Sequence, residues 1–161
     1  MGTTYEYYIK GNKYATYVNG TLEAKSLYKA DENTIYRYFI QQDSLAVENA
    51  GQANPVLQSI ELVEGTENIL SFECQKIFLK TSIGEITYYY NEALGINKEY
   101  FINHKYGNWD AYTKMTGALP LKYVMVFPEF TATATAIAVE EMDLPDSFFD
   151  EIIPKDKISK N

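Results

Sequence analysis

The sequence predicts a mainly β protein: one antiparallel sheet of about eight to ten short strands, with one main helix near residues 109–116 and short helical turns. Three observations lead there. Apolar and polar residues alternate in short runs, and turn-forming residues recur between them at roughly 8–12-residue spacing. Tyrosine is abundant, 15 of 161 residues beside 8 Phe and 1 Trp; a large apolar ring with a polar tip suits half-buried strands and wet interfaces. Only one segment carries both the start and the stop signals of a helix.

The elements follow in order. Residues 5–10 and 13–18 are tyrosine-rich runs around Gly11-Asn12, a pair that suits a type II′ hairpin turn. Asn19-Gly20 is a type I′ signal leading to a third run at 21–28. Asp31-Glu32-Asn33 and Gln41-Gln42-Asp43 turn the chain into runs at 34–40 and 44–48, completing a five-strand meander. Residues 49–55 form a polar loop punctuated by Gly51 and Pro55. A strand at 56–63, a turn at 64–68 and a long strand at 69–81 come next. In that long strand Phe72 and Cys74 alternate in one phase, Ile77 and Leu79 in the other. The switch calls for a bulge near Gln75-Lys76 or for burial that changes face.

After a turn at 82–84, residues 85–91 alternate Ile86, Tyr88 and Tyr90 with Thr87 and Tyr89. Asn108 is a suitable N-cap for the helix, Asp110 sits in its first turn, and Gly117 with Pro120 ends it. Residues 121–127 form a strand with apolar residues on both faces, as burial on both sides requires. Threonine and β-branched residues alternate with alanine over 131–139, which favours a strand. The methyl-only face of Ala132, Ala134, Ala136 and Ala138 needs a close neighbour. Either the helix supplies Trp109 and Tyr112, or an apolar ligand lies there. The acidic turn at 140–150 carries Phe148-Phe149 as an apolar plug. Residues 1–153 read as a single domain and 154–161 as a frayed lysine-rich tail.

Composition excludes several functions. The formal net charge is −8 and Arg37 is the only arginine, so no basic stripe exists for a phosphate backbone and nucleic acid is not an expected partner. No apolar run approaches the ~18–20 residues of a transmembrane segment. The opening Met1-Gly2-Thr3-Thr4-Tyr5-Glu6 has no secretory pattern, and Glu6 breaks the myristoylation pattern. Strand-like sequence starts at Tyr5, so a leader, either alone or together with a first strand, is expected to be already removed.

Few residues suggest chemistry. His104, the only histidine, sits in loop sequence and reads as exposed or as a local hydrogen-bonding group. Cys74, the only cysteine, reads as a small core residue and has no partner for a disulfide. Glu140, Glu141, Asp143, Asp146, Asp150 and Glu151 lack a calcium-loop spacing and read as a solvated turn. Asn19-Gly20-Thr21 matches the glycosylation triplet within a tight hairpin. No phosphate-cradling loop, metal spacing or catalytic constellation is present, so neither a cofactor nor an enzyme activity is expected. The candidate ligand-binding residues are Tyr88, Tyr90, Trp109, Tyr112, Tyr123, Met125, Phe127 and Ala134. Either they line a concave apolar pocket, or they are core and outward-facing strand side chains.

The second half resembles a family. Ile69-Leu70-Ser71-Phe72-Glu73-Cys74-Gln75-Lys76, followed by Thr87, Tyr88, Tyr90, Asn91 and Glu92, is similar to a strand pair of secreted bacterial proteins of unknown function. Ala118-Leu119-Pro120-Leu121-Lys122-Tyr123-Val124-Met125 resembles the next strand. Met142-Asp143-Leu144-Pro145-Asp146-Ser147-Phe148-Phe149 with Pro154 resembles the closing signature. Ser71 stands where the family usually has glycine, and Asp150-Glu151-Ile152 lengthens the closing segment. The resemblance implies a LolA/LppX-like half-barrel, a curved sheet with helices over its concave side, in periplasmic or surface-exposed envelope proteins and lipoproteins. It implies a lipid, another hydrophobic small molecule or an envelope protein as partner, and no catalytic residues. The alternative is a structural or protein-interaction module of the envelope with a self-filled core.

Overall fold

The structure, a computed structural model, describes residues 4–158. The first three residues of the opening segment and the last three of the expected tail lie outside the described residues. The chain is mainly β and antiparallel, as its alternation predicts. Its ten strands form two sheets of five, β1-β2-β3-β4-β5 and β10-β9-β8-β7-β6, where the sequence reading has one. Neither sheet closes on itself. Short runs joined by turns reveal which strands are sequential neighbours, but not where the ladder stops. Two compact units follow this division, one holding the chain up to Gln52 and from Met142 onward, the other Ala53–Glu141.

The first unit contains β1 (Tyr5–Lys10), β2 (Lys13–Val18), β3 (Ala24–Lys29), β4 (Thr34–Phe39) and β5 (Ser44–Asn49). Gly11 has φ +56° and Asn12 no positive φ, the sign pattern of the expected II′ turn. Asn33 and Asp43 both adopt left-handed backbone at the ends of their turns, a conformation that Asn and Asp tolerate. Their N–H groups donate to Ala30 and Ile40 carbonyls at 3.2 and 3.3 Å. The Asn19-Gly20 expectation is corrected. Val18 pairs with Ala24, so the connection is a five-residue loop rather than a two-residue turn, and the third strand starts at Ala24, not residue 21. The Asn19 side chain is engaged there, accepting from the Thr4 N–H at 2.9 Å.

One face of this sheet packs Tyr8, Ala15, Leu27, Tyr36, Tyr38 and Leu45 against Phe149 and Ile153. Phe148 and Phe149 reach it from α2 (Asp146–Asp150), so the plug is real. The segment expected to fray from residue 154 instead forms a helical turn, α3 (Lys155–Ile158), with Ile158 packed on the same cluster. Lys157 holds it by a 2.7 Å ion pair to Asp43. The other face carries Tyr7, Tyr14 and Tyr28, with Tyr14 stacked between Tyr7 and Tyr28 at 5.1 Å from each.

The second unit contains β6 (Leu57–Ile69), β7 (Phe72–Thr81), β8 (Glu85–Gly95), β9 (Ala118–Val126) and β10 (Thr131–Thr135), with a 3₁₀ turn (Lys98–Phe101) and α1 (Trp109–Thr116) between β8 and β9. The expected turn at 64–68 is corrected to a bulge: β6 runs through it, and its register against β7 shifts between Val63 and Glu67, with Gly65 at φ +93°. The true turn is Leu70-Ser71, both left-handed at φ +50° and +68°. Neither residue type signals such a turn, which is why sequence places it elsewhere. The phase switch in β7 comes from burial that changes face, the second of the two expected causes: β7 pairs with β8 without interruption through Gln75 and Lys76, and the bulge lies on the partner strand β6. Ile77 and Leu79 pack with Tyr88 and Tyr112, whereas Cys74 packs with Ile69 and Leu121 in a separate cluster. The strand expected over 131–139 ends at Thr135. The last bond to β9 runs from the Ala136 N–H to the Leu121 carbonyl at 2.7 Å, and Ile137 and Ala138 beyond it are exposed.

Ser71 at φ +68° is strained as a side-chain-bearing residue; glycine there would not be. Ser71→Gly is expected to raise the urea midpoint, by about 0.5–1 kcal/mol in stability. Ser71→Val, which is β-branched, should lower it.

Candidate functional site

The candidate residues meet on one face of the second sheet because register places them there. Tyr88 pairs with Tyr123 and Ile86 with Met125 across β8 and β9. Ala134 pairs with Tyr123 and Ala132 with Met125 across β9 and β10. Directly opposed residues share a face, so Tyr88, Tyr123, Met125, Ala132 and Ala134 line the same side. On the β7 side that face continues through Ile77 and Leu79, the partners of Tyr88 and Ile86.

The helix α1 covers this face, with the bounds its signals predict. Asn108 is the residue before it, as expected, but with left-handed backbone (φ +58°) and without a side-chain cap. The preceding Gly107 is also left-handed. These two residues turn the chain sharply toward the sheet, and Asn108 is buried in the process. Gly117 ends the helix at φ +58°, its N–H donating to the Thr113 carbonyl at 2.8 Å. Inside the helix, the Thr113 and Thr116 hydroxyls donate to the carbonyls four residues back, at 2.9 and 3.0 Å.

Trp109 and Tyr112 enter the space between helix and sheet. Tyr112 is 0% exposed, its ring 4.6 Å from Tyr88 and 4.9 Å from Trp109. Tyr88, Tyr90 and Tyr112 belong to one buried cluster, with Trp109, Tyr123 and Met125 half-buried around it. Six of the eight candidate residues therefore come together. Burial raises the phenol pKa of Tyr112 well above the usual value and raises that of Tyr123 as well. Burial also raises that of Tyr90, whose hydroxyl donates to Gln75 Oε1 at 3.0 Å.

The other two candidates lie outside this cluster. Ala134 is half-buried on β10, with Ala132 and Ala136 likewise, whereas Ala138 is exposed beyond the strand. Phe127 lies at the end of the sheet, its ring 4.9 Å from Phe130. There the 82–84 turn and residues 127–130 line an open groove with exposed Ile83, Val126 and Phe130. Gly84 permits this packing, since a Cβ there would stand 2.5 Å from Phe127 Cδ1 and from the Val126 carbonyl oxygen. Nothing in the strand pattern points to this groove, because two turns distant in sequence build it.

The reactive side chains are buried. His104, expected as an exposed loop residue or a local hydrogen-bonding group, is 2% exposed. Its segment turns inward because its N–H donates to the Phe101 carbonyl at 3.0 Å and its carbonyl accepts from the Asp110 N–H at 2.8 Å. Burial lowers its pKa to about 4. Cys74 is fully buried, which pushes its thiol pKa up. Among the described residues no group of three or more His, Cys, Asp or Glu could hold a metal ion. Asp146 of the acidic turn is engaged by Lys10 at 3.7 Å. No helix among the described residues is long and apolar enough to cross a membrane. No known family, curated protein or solved structure matches the chain.

His104 links stability to pH. Above its unfolded pKa of 6.5 the imidazole is neutral in both states. As pH falls from 6.5 toward 4, the unfolded chain takes up a proton that the folded chain refuses, so stability is lost across that window. Denaturant melts should show a loss of about 3 kcal/mol there, which His104→Gln removes when the two pH profiles are subtracted. The Cys74 thiol should react slowly with a thiol reagent in the native protein and fully in denaturant; equal rates would place it at the surface.

Proposed function

We propose that the chain is a non-enzymatic interaction module of the cell envelope whose core is filled by its own side chains. The observation that carries this reading is the packing of Tyr112. A side chain available to line a ligand pocket is instead fully enclosed between Tyr88 and Trp109. Burial of both His104 and Cys74 supports a role other than catalysis, because a nucleophile or general base must reach its substrate. The envelope setting rests on the resemblance of residues 69–154 to exported proteins.

A second reading, a carrier of a lipid or other apolar ligand, is favoured by one feature. Trp109, Tyr123, Met125 and Ala134 are only half-buried on the helix-bearing face. Uptake there would require α1 to lift and the ligand to take the place of Tyr112.

Trp109 is the only tryptophan and reports on both readings. Titration with a long-chain fatty acid brominated along its tail should leave Trp109 fluorescence without saturable quenching. Saturable quenching at one ligand per chain overturns the self-filled reading and establishes the carrier. Tyr112→Ala should cost about 3–5 kcal/mol of stability, as for other large buried aromatics. A stability near wild type would mark Tyr112 as pocket lining.

A further inference from the structure

Four strands end the two sheets, β1, β5, β6 and β10, and three of them carry devices that discourage pairing with another chain. β1 carries Glu6 and Lys10. β5 carries Glu48 and lies against α3. β6 carries Glu61, Glu64 and Glu67 and is bulged. β10, Thr131-Ala132-Thr133-Ala134-Thr135, has no charge, no proline and no bulge.

The backbone of β10 points its free groups outward in a defined pattern. The Ala136 N–H donates to the Leu121 carbonyl at 2.7 Å, and the Phe130 carbonyl accepts from the Phe127 N–H at 2.9 Å. Even-numbered residues thus face β9. In an antiparallel ladder the alternate residues turn both N–H and C=O away, so Thr131, Thr133 and Thr135 present theirs to the open edge. The side chains of these three threonines are exposed.

We infer that β10 is a self-pairing edge, through which two copies of the chain join as an antiparallel two-fold pair centred on Thr133. The five-residue sequence reads the same in both directions. Antiparallel pairing about Thr133 therefore matches Thr131 with Thr135 of the second copy, Ala132 with Ala134, and Thr133 with Thr133. Each outward-facing residue meets another outward-facing residue, which is the condition for hydrogen-bonded pairs. The contact is isologous, as two-fold symmetry demands. Charge selects this edge too: each copy carries a net −8, and β10 is the edge strand where like-charged copies approach without charged side chains opposed. Phe130 and Ile137, 50% and 86% exposed, flank the strand, so each end of the pair carries one copy's Phe130 and the other's Ile137. The edge lies outside the aromatic cluster and the end groove, and the inference does not rest on the function proposed above.

A single strand pair buries less than the ~1,200–2,000 Å² of a standard interface, so the dimer is concentration-dependent. Sedimentation of the full chain should show the mass rising from 18.4 kDa toward twice that value across a concentration series. Thr133→Lys, which opposes two ammonium groups at the dyad, should hold it at the monomer mass. Thr133→Cys gives the register-specific readout. Hydrogen-bonded antiparallel partners stand ~5.5 Å apart at Cα, within the ~4.4–6.8 Å that a disulfide spans. Under mild oxidation Thr133→Cys should link two chains, Thr131→Cys alone should not, and Thr131→Cys with Thr135→Cys should. The proposal is overturned if Thr133→Cys links no faster than Thr131→Cys, or if Thr133→Lys dimerises like the wild type.

Discussion

Cross-strand register is the constraint on which the rest of this structure depends, and a handful of left-handed residues sets it. A slip of one residue would exchange the two faces of a strand. Asn33 and Asp43 hold the meander of the first sheet in step. Leu70 and Ser71 do the same for β6 and β7, at greater conformational cost because neither residue type favours that backbone. Once register is set, the faces follow. Tyr88, Tyr123 and Ala134 fall in one row of the second sheet, while Tyr8, Ala15, Leu27 and Tyr36 fall in one row of the first.

Each sheet then needs a cover for its apolar face, and each finds a small one rich in aromatics. In the second unit a helix of eight residues suffices because Trp109 and Tyr112 do most of the filling. A helix this short has little stability of its own, so it depends on that packing as much as the sheet does. In the first unit Phe148 and Phe149, with Ile152 and Ile153, serve the same purpose from the closing segment. The far face of the second sheet is managed with charge. The Lys122 ammonium sits 4.7 Å over the Tyr89 ring and 2.7 Å from Glu67, which keeps a half-apolar surface hydrated.

Tyrosine makes this economy workable. Its ring supplies core volume while its hydroxyl reaches a carboxylate or amide at the margin, as Tyr8 does to Glu6 and Tyr38 to Asp43, both at 2.6 Å. Those hydrogen bonds to acidic partners raise the phenol pKa of both residues, so the phenols stay neutral donors at physiological pH. Glu6, Glu23, Glu32 and Asp43 of this acidic chain thereby serve as acceptors for its own tyrosine hydroxyls.

Local signals in the sequence determined the mainly β class, the five-strand meander, the helix over Trp109–Thr116, the aromatic plug at Phe148-Phe149 and the core placement of Cys74. Alternation, turn residues and caps act within a few residues, and so does the physics they report. The tertiary structure decided what depends on partners far along the chain. It divided ten strands between two sheets, made residues 64–66 a bulge and Leu70-Ser71 the turn, and drew His104 inward. It also closed Tyr88, Tyr90 and Tyr112 into a packed core while leaving Phe127 in a groove at the sheet's end. An alternating strand shows that one face is buried, and packing alone determines what buries it: Tyr112 lies more than twenty residues from Tyr88, and nothing local in either segment records that their rings meet.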